Sequence, residues 1–139
     1  MITCQTCKRD LPLEAFYKSK RKMDRRCREC AAKRRQAYNE KIRVEALMRY
    51  GGKCACCGFD DMHKKIGHMS FLHFDHINGG GRTHCRKIPW LSHWLRSHKY
   101  PEGFRILCAP CNIAMLPGGS ICELHKWELS QTEQLAIKA

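Results

Sequence analysis

Four Cys-x-x-Cys pairs constrain the fold of this chain more than any other feature. They begin at Cys4, Cys27, Cys54 and Cys108, and together they use most of the 11 cysteines. Pairs at this spacing are typical of turns that hold zinc, whereas the cysteines of small secreted proteins usually form disulfides. The cysteine count is odd and no apolar leader precedes a cleavage site at the N-terminus. We therefore favour zinc over disulfides, and expect an intracellular protein that is not secreted.

The pairs group into two quartets that differ in the length of chain between them. Cys7 and Cys27 are separated by 19 residues, whereas Cys57 and Cys108 are separated by 50 residues. We predict two structural zinc ions, because a closed four-thiolate site leaves no coordination position for a substrate. The predicted ligands are Cys4, Cys7, Cys27 and Cys30 in the first quartet and Cys54, Cys57, Cys108 and Cys111 in the second. The alternative is that some of them are free, buried thiols.

Three further cysteines lie outside the pairs. Cys56 could replace Cys54 or Cys57 as a ligand. Cys85 and Cys122 are predicted to be core or surface thiols. Cys122 with His125 could instead form a weak additional metal site.

Four segments follow from the cysteine pairs and the breaks between them. We predict a zinc-binding module, a basic linker helix, a second zinc module and a tail, over residues 1–30, 31–52, 53–125 and 126–139 respectively. The linker helix has only a partial apolar stripe, so we expect it to flank DNA rather than to enter a core. Thirty residues, as in the first module, cannot bury a useful core, so a metal must hold them. The predicted class is a small α+β fold stabilised by zinc.

The second module shows a coarse order of elements. We expect a strand over residues 69–77, a glycine loop at 78–81, an amphipathic helix over 88–98, a strand over 104–108 and a short helix from Pro110. Trp90, Trp94 and Leu95 are expected in the core rather than as a platform for stacking bases. The histidines expected to be surface or packing residues, rather than ligands, are His63, His68, His73, His93 and His98. No apolar run reaches the ~20 residues that a membrane span needs.

Positive charge is concentrated in the first part of the chain. The net charge is +13, and ten Lys or Arg lie between Lys18 and Arg35. Such density predicts electrostatic binding of nucleic acid, with a solvated face as the alternative. We expect DNA as the partner, and RNA is the other option. The predicted phosphate contacts of this stretch are Arg25, Arg26, Arg34 and Arg35.

A different chemistry is indicated inside the long insert of the second quartet. Asp75 precedes His76, and Asn112 directly follows Cys111. Carboxylate and amide oxygens suit a hard divalent cation, and an imidazole is a competent base at neutral pH. If the second zinc site brings Asn112 beside Asp75 and His76, the three can form a site for metal-dependent hydrolysis. Taken alone, an Asp-His dipeptide is more often a hydrogen-bonded structural pair.

Three polar side chains follow the glycine loop: Arg82, His84 and Arg86. They could clamp a phosphate beside the divalent cation. A solvated surface is the alternative.

Two motifs together resemble the HNH endonucleases. Phe-Asp-His-Ile-Asn-Gly-Gly-Gly-Arg-Thr-His and Gly-Phe-Arg-Ile-Leu-Cys-Ala-Pro-Cys-Asn are similar to the zinc-bound branch that includes recombination endonuclease VII. The resemblance covers about residues 53–116, and the first zinc module resembles a segment often found ahead of phage-type HNH domains. It implies a ββα-metal fold in which Asp75 and Asn112 bind one Mg²⁺ or Mn²⁺ and His76 is the general base. The implied reaction is DNA hydrolysis, by nicking or cutting, to a 5′-phosphate and a 3′-hydroxyl.

Gly103 departs from that family's pattern. It stands five residues before Cys108, where the family usually has the Asn that orients the base. A backbone carbonyl or another side chain must then hold His76. Because Gly103 replaces the orienting Asn, an alternative hypothesis stays open. In it the protein is a non-catalytic zinc-finger regulator or packaging accessory protein that binds DNA. A phage origin would place the protein in the host cytoplasm, and a homodimer or a phage packaging partner is left open.

Overall fold

The computed structural model describes residues 1–17, 25–60, 71–126 and 128. Its fold is small and α+β, with two antiparallel sheets of two strands each. The chain divides into two compact units, Met1–Lys41 and Ile42–Ala139. The predicted segment boundaries at 30 and 52 differ from this division, which falls inside a helix. Within the described ranges, no helix is both long and apolar enough to cross a lipid bilayer.

The first unit is organised around cysteines rather than around a large apolar core. Strands β1 (Ile2–Thr3) and β2 (Asp10–Leu11) pair in an antiparallel register, and a 3₁₀ turn follows at Leu13–Ala15. The buried residues of the cluster that holds this unit are Cys4, Phe16, Cys27 and Cys30. Phe16 is its only large apolar side chain with complete burial among the residues described. So small an apolar core cannot offset the conformational entropy of the segment without another source of stability.

Helix α1 (Arg28–Arg49) ends at a pair of glycines. Gly51 and Gly52 have φ of 99° and 67°, and the Gly52 N–H donates to the Leu47 carbonyl at 3.0 Å. Positive φ is easily adopted by glycine, so these residues end the helix. The predicted linker segment is helical, as expected. The prediction that this helix stays outside a core is wrong for its C-terminal half. Ile42, Ala46 and Leu47 are all buried there.

The second unit is built on a β-hairpin. Strands β3 (Leu72–His76) and β4 (Phe104–Cys108) pair antiparallel, with Leu72 opposite Cys108 and His76 opposite Phe104. The core side chains beside them include Leu47, Leu72, Ile106 and Leu107, which are all fully buried. Burying each such side chain favours folding by about 1.5–3 kcal/mol. This unit therefore has an aliphatic core that the first unit lacks.

Among the described elements, three short helices lie between the hairpin strands in sequence or directly follow them. They are α2 (Gly81–Lys87), α3 (Leu91–Ser97) and α4 (Ala109–Ala114), of which α4 packs against both strands. The glycine-loop prediction is wrong at its end, because Gly81 already begins α2. The observed helix α3 is shorter than the predicted helix over 88–98, because Ile88 is extended and α3 begins at Leu91. Leu95 is buried, as expected. Trp90 precedes the helix and is 59% exposed, so its predicted place in the core is wrong.

Candidate functional site

The two predicted quartets use the same turn for their first pair of cysteines. In the first knuckle the Lys8 N–H donates to the Cys4 carbonyl at 2.9 Å, and in the second the Gly58 N–H donates to the Cys54 carbonyl at 2.9 Å. Lys8 and Gly58 both have positive φ, of 59° and 73°. The turn points both sulfurs of a pair to one side, which is what a shared metal requires.

The sulfur atoms of each quartet come together as the sequence predicts. In both groups all four Sγ atoms lie within 4.8 Å of one another. Cys7 and Cys27 Sγ are 3.9 Å apart, and Cys57 and Cys108 Sγ are 3.7 Å apart. Ligands ~2.3 Å from a tetrahedral zinc lie about 3.8 Å from each other. Both quartets are therefore compatible with zinc.

The first cysteine of each knuckle is poised to be a thiolate. Backbone N–H groups of Cys27 and Cys7 lower the pKa of the Cys4 thiol to about 6. Burial opposes ionisation of Cys54, but backbone N–H groups, foremost that of Cys57, outweigh it and lower its pKa to about 6. Zinc binds thiolates. The backbone thus prepares one ligand in each cluster before any metal arrives.

A third cluster was predicted only in outline. Cys56, Cys111, Cys122 and His125 bring three Sγ atoms and one imidazole nitrogen within 4.8 Å of one another. The structure thus places Cys56 with Cys122 and His125, while Cys54 and Cys57 stay in the second quartet. The sequence signal for the cluster was the Cys122-x-x-His125 spacing, which is a ligand spacing of zinc sites.

The Asp-His motif lies at the end of the hairpin. Asp75 stands opposite Arg105, whose Nε donates to Asp75 Oδ2 at 2.7 Å, and the pair is largely buried. Arg105 also donates from Nη1 to the Gly119 carbonyl. Sequence analysis did not predict this ion pair, because it depends on the strand register. Arg105 holds the Asp75 carboxylate in one orientation.

His76 is held by an imidazole partner. His76 Nε2 and His84 Nδ1 are 2.7 Å apart, and the ring of Phe104 lies 4.5 Å from that of His76. Burial first, and then the charge of His84, lower the pKa of His76 against the opposing effect of Asp75. The ring is therefore neutral at neutral pH, with one nitrogen engaged by His84.

The other ring nitrogen faces a glycine. A Cβ atom placed on Gly81 would lie 2.9 Å from His76 Nδ1, closer than such contacts normally occur. Space beside Nδ1 thus depends on the absence of a side chain at position 81.

His84 is oriented from its other side by Trp94. The two rings meet edge to face at 4.4 Å, and Trp94 stacks on His98 at 4.1 Å. His98 is thus a packing residue, as expected, while His73 is exposed on β3. The sequence predicts His84 as a phosphate contact. The contact between His84 and His76 does not follow from sequence spacing, because the sequence does not predict α2.

Asn112 lies in α4, directly after the buried Cys111, and is partly buried. Among the described residues its side chain makes no hydrogen bond. Arg82 and Arg86, the other predicted contacts after the glycine run, are exposed on α2.

Basic residues of the first unit line a groove. Its volume is about 370 Å³, and its walls are formed by Arg26, Ala31, Arg34, Arg35 and Tyr38. Arg25 is exposed nearby in sequence. The part of the basic stretch at residues 18–24, the histidines at 63 and 68, and most of the tail lie outside the described residues.

Comparison of the chain with protein-family models, with curated proteins and with solved structures finds no match.

Proposed function

We propose that this chain is a metal-dependent DNA endonuclease of the HNH type, with β3, β4 and α4 as its ββα-metal unit. The observation that carries the proposal is the state of His76. Its imidazole stands beside Asp75 at the end of β3, with Nε2 held by His84 at 2.7 Å. An oriented, neutral imidazole is what a general base needs.

His84 supplies the positioning group that Gly103 does not. The backbone carbonyl of Gly103 accepts a hydrogen bond from the Ile77 N–H at 3.0 Å, which closes the end of the hairpin. A glycine has no side chain with which to hold an imidazole. His84, fixed in turn by Trp94, holds Nε2 and leaves Nδ1 to take a proton from an attacking water. His84 is thus a positioning residue in this proposal.

Asp75 and Asn112 are the proposed ligands of a catalytic Mg²⁺ or Mn²⁺. Their donor types fit a hard cation. A divalent ion bound there would offset charge on the scissile phosphate and on the departing oxygen. Arg105 neutralises Asp75, so we expect weak affinity for the free cation and stronger affinity when a DNA phosphate is also present.

The groove of the first unit is the proposed site of general DNA affinity. Arg26, Arg34 and Arg35 place three guanidinium groups around one depression. Guanidinium groups bind phosphate through several N–H donors, and each phosphate contact adds about 0.9 to the log–log salt slope. Changing Arg34 and Arg35 to Gln should reduce that slope by roughly 2 and weaken binding to unrelated sequences equally. The Arg34→Lys, Arg35→Lys variant keeps the charges and should keep the slope.

Plasmid cleavage by the zinc-loaded protein, with and without added Mg²⁺ or Mn²⁺, tests the activity. His76→Ala should slow cleavage by ~10²–10⁴-fold, the usual loss for a general base, without weakening DNA binding. His73→Ala is the matched control, because His73 lies on the same strand with its side chain exposed. Equal rates for the two variants would remove His76 from the chemistry. A parent protein that cuts no DNA with either ion would end the nuclease proposal.

A second candidate function is DNA binding without catalysis. The Arg105–Asp75 ion pair favours it, because a carboxylate bound by arginine is a weaker metal ligand. This candidate predicts salt-sensitive DNA binding that His76→Ala leaves unchanged, together with no cleavage under any of the metal conditions above.

A further inference from the structure

Six cysteines and one histidine meet in the second unit, more than one zinc ion can use. The second quartet and the third cluster together contain seven ligand atoms, and Cys111 belongs to both. Two tetrahedral zinc ions offer eight coordination positions. Seven ligands fill eight positions if one of them binds both ions.

The distances within the third cluster fit a tetrahedral ion. His125 Nδ1 lies 3.0 Å from Cys122 Sγ, 3.4 Å from Cys56 Sγ and 3.6 Å from Cys111 Sγ. A zinc ion with sulfur at ~2.3 Å and nitrogen at ~2.0–2.1 Å places these atoms about 3.5 Å apart. The cluster therefore has the spacing of a metal site before any ion is added.

Three separate segments converge to build this cluster. Cys56 comes from the knuckle, Cys111 from α4, and Cys122 and His125 from a helical turn in which the Lys126 N–H donates to the Cys122 carbonyl at 3.1 Å. The Cys122 N–H donates to Cys56 Sγ at 3.3 Å, and both Cys111 and Cys122 are buried. N–H···S bonds of this kind stabilise a thiolate. The first knuckle has Thr6 where the second has Cys56, so the additional ligand is a property of this unit.

We propose that the second unit holds a binuclear zinc centre in which the thiolate of Cys111 bridges the two ions. Cys54, Cys57 and Cys108 complete the first ion, and Cys56, Cys122 and His125 complete the second. Each thiol releases its proton to solvent on binding. Since both ions lie ~2.3 Å from the shared sulfur, they are at most about 4.6 Å apart.

The second ion would fasten a loop of the hairpin unit. Residues 115–121 run between α4 and Cys122, and two of their backbone groups form hydrogen bonds with the hairpin unit. The Gly118 N–H donates to the Ile77 carbonyl at 2.6 Å, and the Gly119 carbonyl accepts from Arg105. Ligands at Cys111 and Cys122 hold both ends of this loop. The binuclear centre would form whether or not the protein cleaves DNA.

Zinc counting on the full chain tests the stoichiometry. Native mass spectrometry of reduced, zinc-loaded protein should give three zinc ions per chain, and two would overturn the second ion of the centre. Cys122→Ser and His125→Ala should each reduce the count to two. Cys85→Ser is the control, because Cys85 is exposed on α2 and belongs to none of the clusters described, and it should keep three. Cys56 and Cys122 recovered as a disulfide under non-reducing digestion would also overturn the proposal.

Cadmium substitution tests the bridge itself, and needs no variant that could fail to fold. With ¹¹³Cd in all sites, two resonances should be split by mutual coupling through the Cys111 sulfur, and the ion of the first unit should be a single unsplit resonance. Three unsplit resonances would mean separate ions and would overturn the bridge.

Discussion

The two knuckles, Cys4–Cys7 and Cys54–Cys57, have the same hydrogen bonds and differ in what they support. In each, the first cysteine N–H donates to a carbonyl five residues later, from Cys4 to Arg9 at 2.9 Å and from Cys54 to Phe59 at 2.8 Å. The first knuckle is followed by 19 residues before its next ligand, and the second by 50 residues that carry the hairpin strand and the Asp-His motif. A closed thiolate site fixes the two ends of the segment inserted between its cysteine pairs. Only the segment in the second unit is long enough to carry the residues of the proposed catalytic site.

The cores of the two units differ as well. Phe16 with three cysteines forms the buried part of the first, while Leu47, Leu72, Ile106 and Leu107 add an aliphatic core to the second. The first unit should therefore depend on zinc almost entirely, and the second only in part. The following predictions test that contrast.

Ligand removal should have the largest effect. Cys30→Ser should abolish zinc binding by the first unit and unfold its β1–β2 pair and the turn at Leu13–Ala15, because structural zinc contributes ~10–16 kcal/mol to such modules. Amide NMR spectra and zinc content measure both outcomes. The β3–β4 amides should be unchanged in Cys30→Ser. In Cys108→Ser they should shift but persist, because the aliphatic core of the second unit remains, and in Cys85→Ser they should be unaffected. Loss of the hairpin signals in Cys30→Ser would contradict the independence of the two sites.

Phe16→Ala should have the next largest effect. Removing a buried Phe costs about 3–5 kcal/mol, which here should appear as a loss of zinc affinity of at least 10²-fold. Competition with a chelator of known affinity measures it. Tyr17→Ala is the control, since Tyr17 is 44% exposed. Equal affinities for the two variants would mean that the first unit does not depend on its single aromatic core residue.

Gly81→Ala tests the chemistry assigned to the second unit alone. A methyl group 2.9 Å from His76 Nδ1 must displace the imidazole. Displacements of this size cost roughly 10–100-fold in rate. Alanine is a better helix former than glycine, so α2 should not be destabilised. Cleavage rates at saturating DNA give the answer, with exposed Thr83→Ala as control. Unchanged cleavage by Gly81→Ala would show that Nδ1 needs no free space.

Substituting the knuckle residue with positive φ, Lys8 or Gly58, should have the smallest effect. The change in zinc affinity should have opposite signs in the two units. A non-glycine residue in this conformation costs about 1–2 kcal/mol relative to glycine. Lys8→Gly should thus strengthen zinc binding by the first unit, and Gly58→Lys should weaken it in the second, each by roughly 5- to 30-fold. Chelator competition on both variants checks the signs. Changes of the same sign would mean that the two turns are not equivalent.

Local features of the sequence predicted the framework well. The quartets followed from spacing, the strand over 104–108 from its apolar run, and the end of α1 from Gly51 and Gly52. Each of these signals is contained in a few neighbouring residues. Elements that depend on distant contacts were missed: α2 begins with a glycine, and its His84 packs on His76 and Trp94.

Residue type and spacing single out Asp75, His76 and Asn112 as candidates, but they do not give the contacts of these side chains. The Arg105–Asp75 pair required the register of β3 with β4, and strands β1 and β2 are too short, at two residues each, to show alternation. Cys56 could be assigned only once the fold had brought Cys122 and His125 to it.

Cys85 offers a chemical handle. It is exposed on α2, next to His84, and within the described part of the chain it belongs to none of the metal clusters. If the other ten cysteines are all occupied by zinc, the loaded protein has one thiol that alkylating dyes attack quickly. The number of fast-reacting thiols then reports how many sites are filled. A dye on that thiol would also report DNA arriving beside His76.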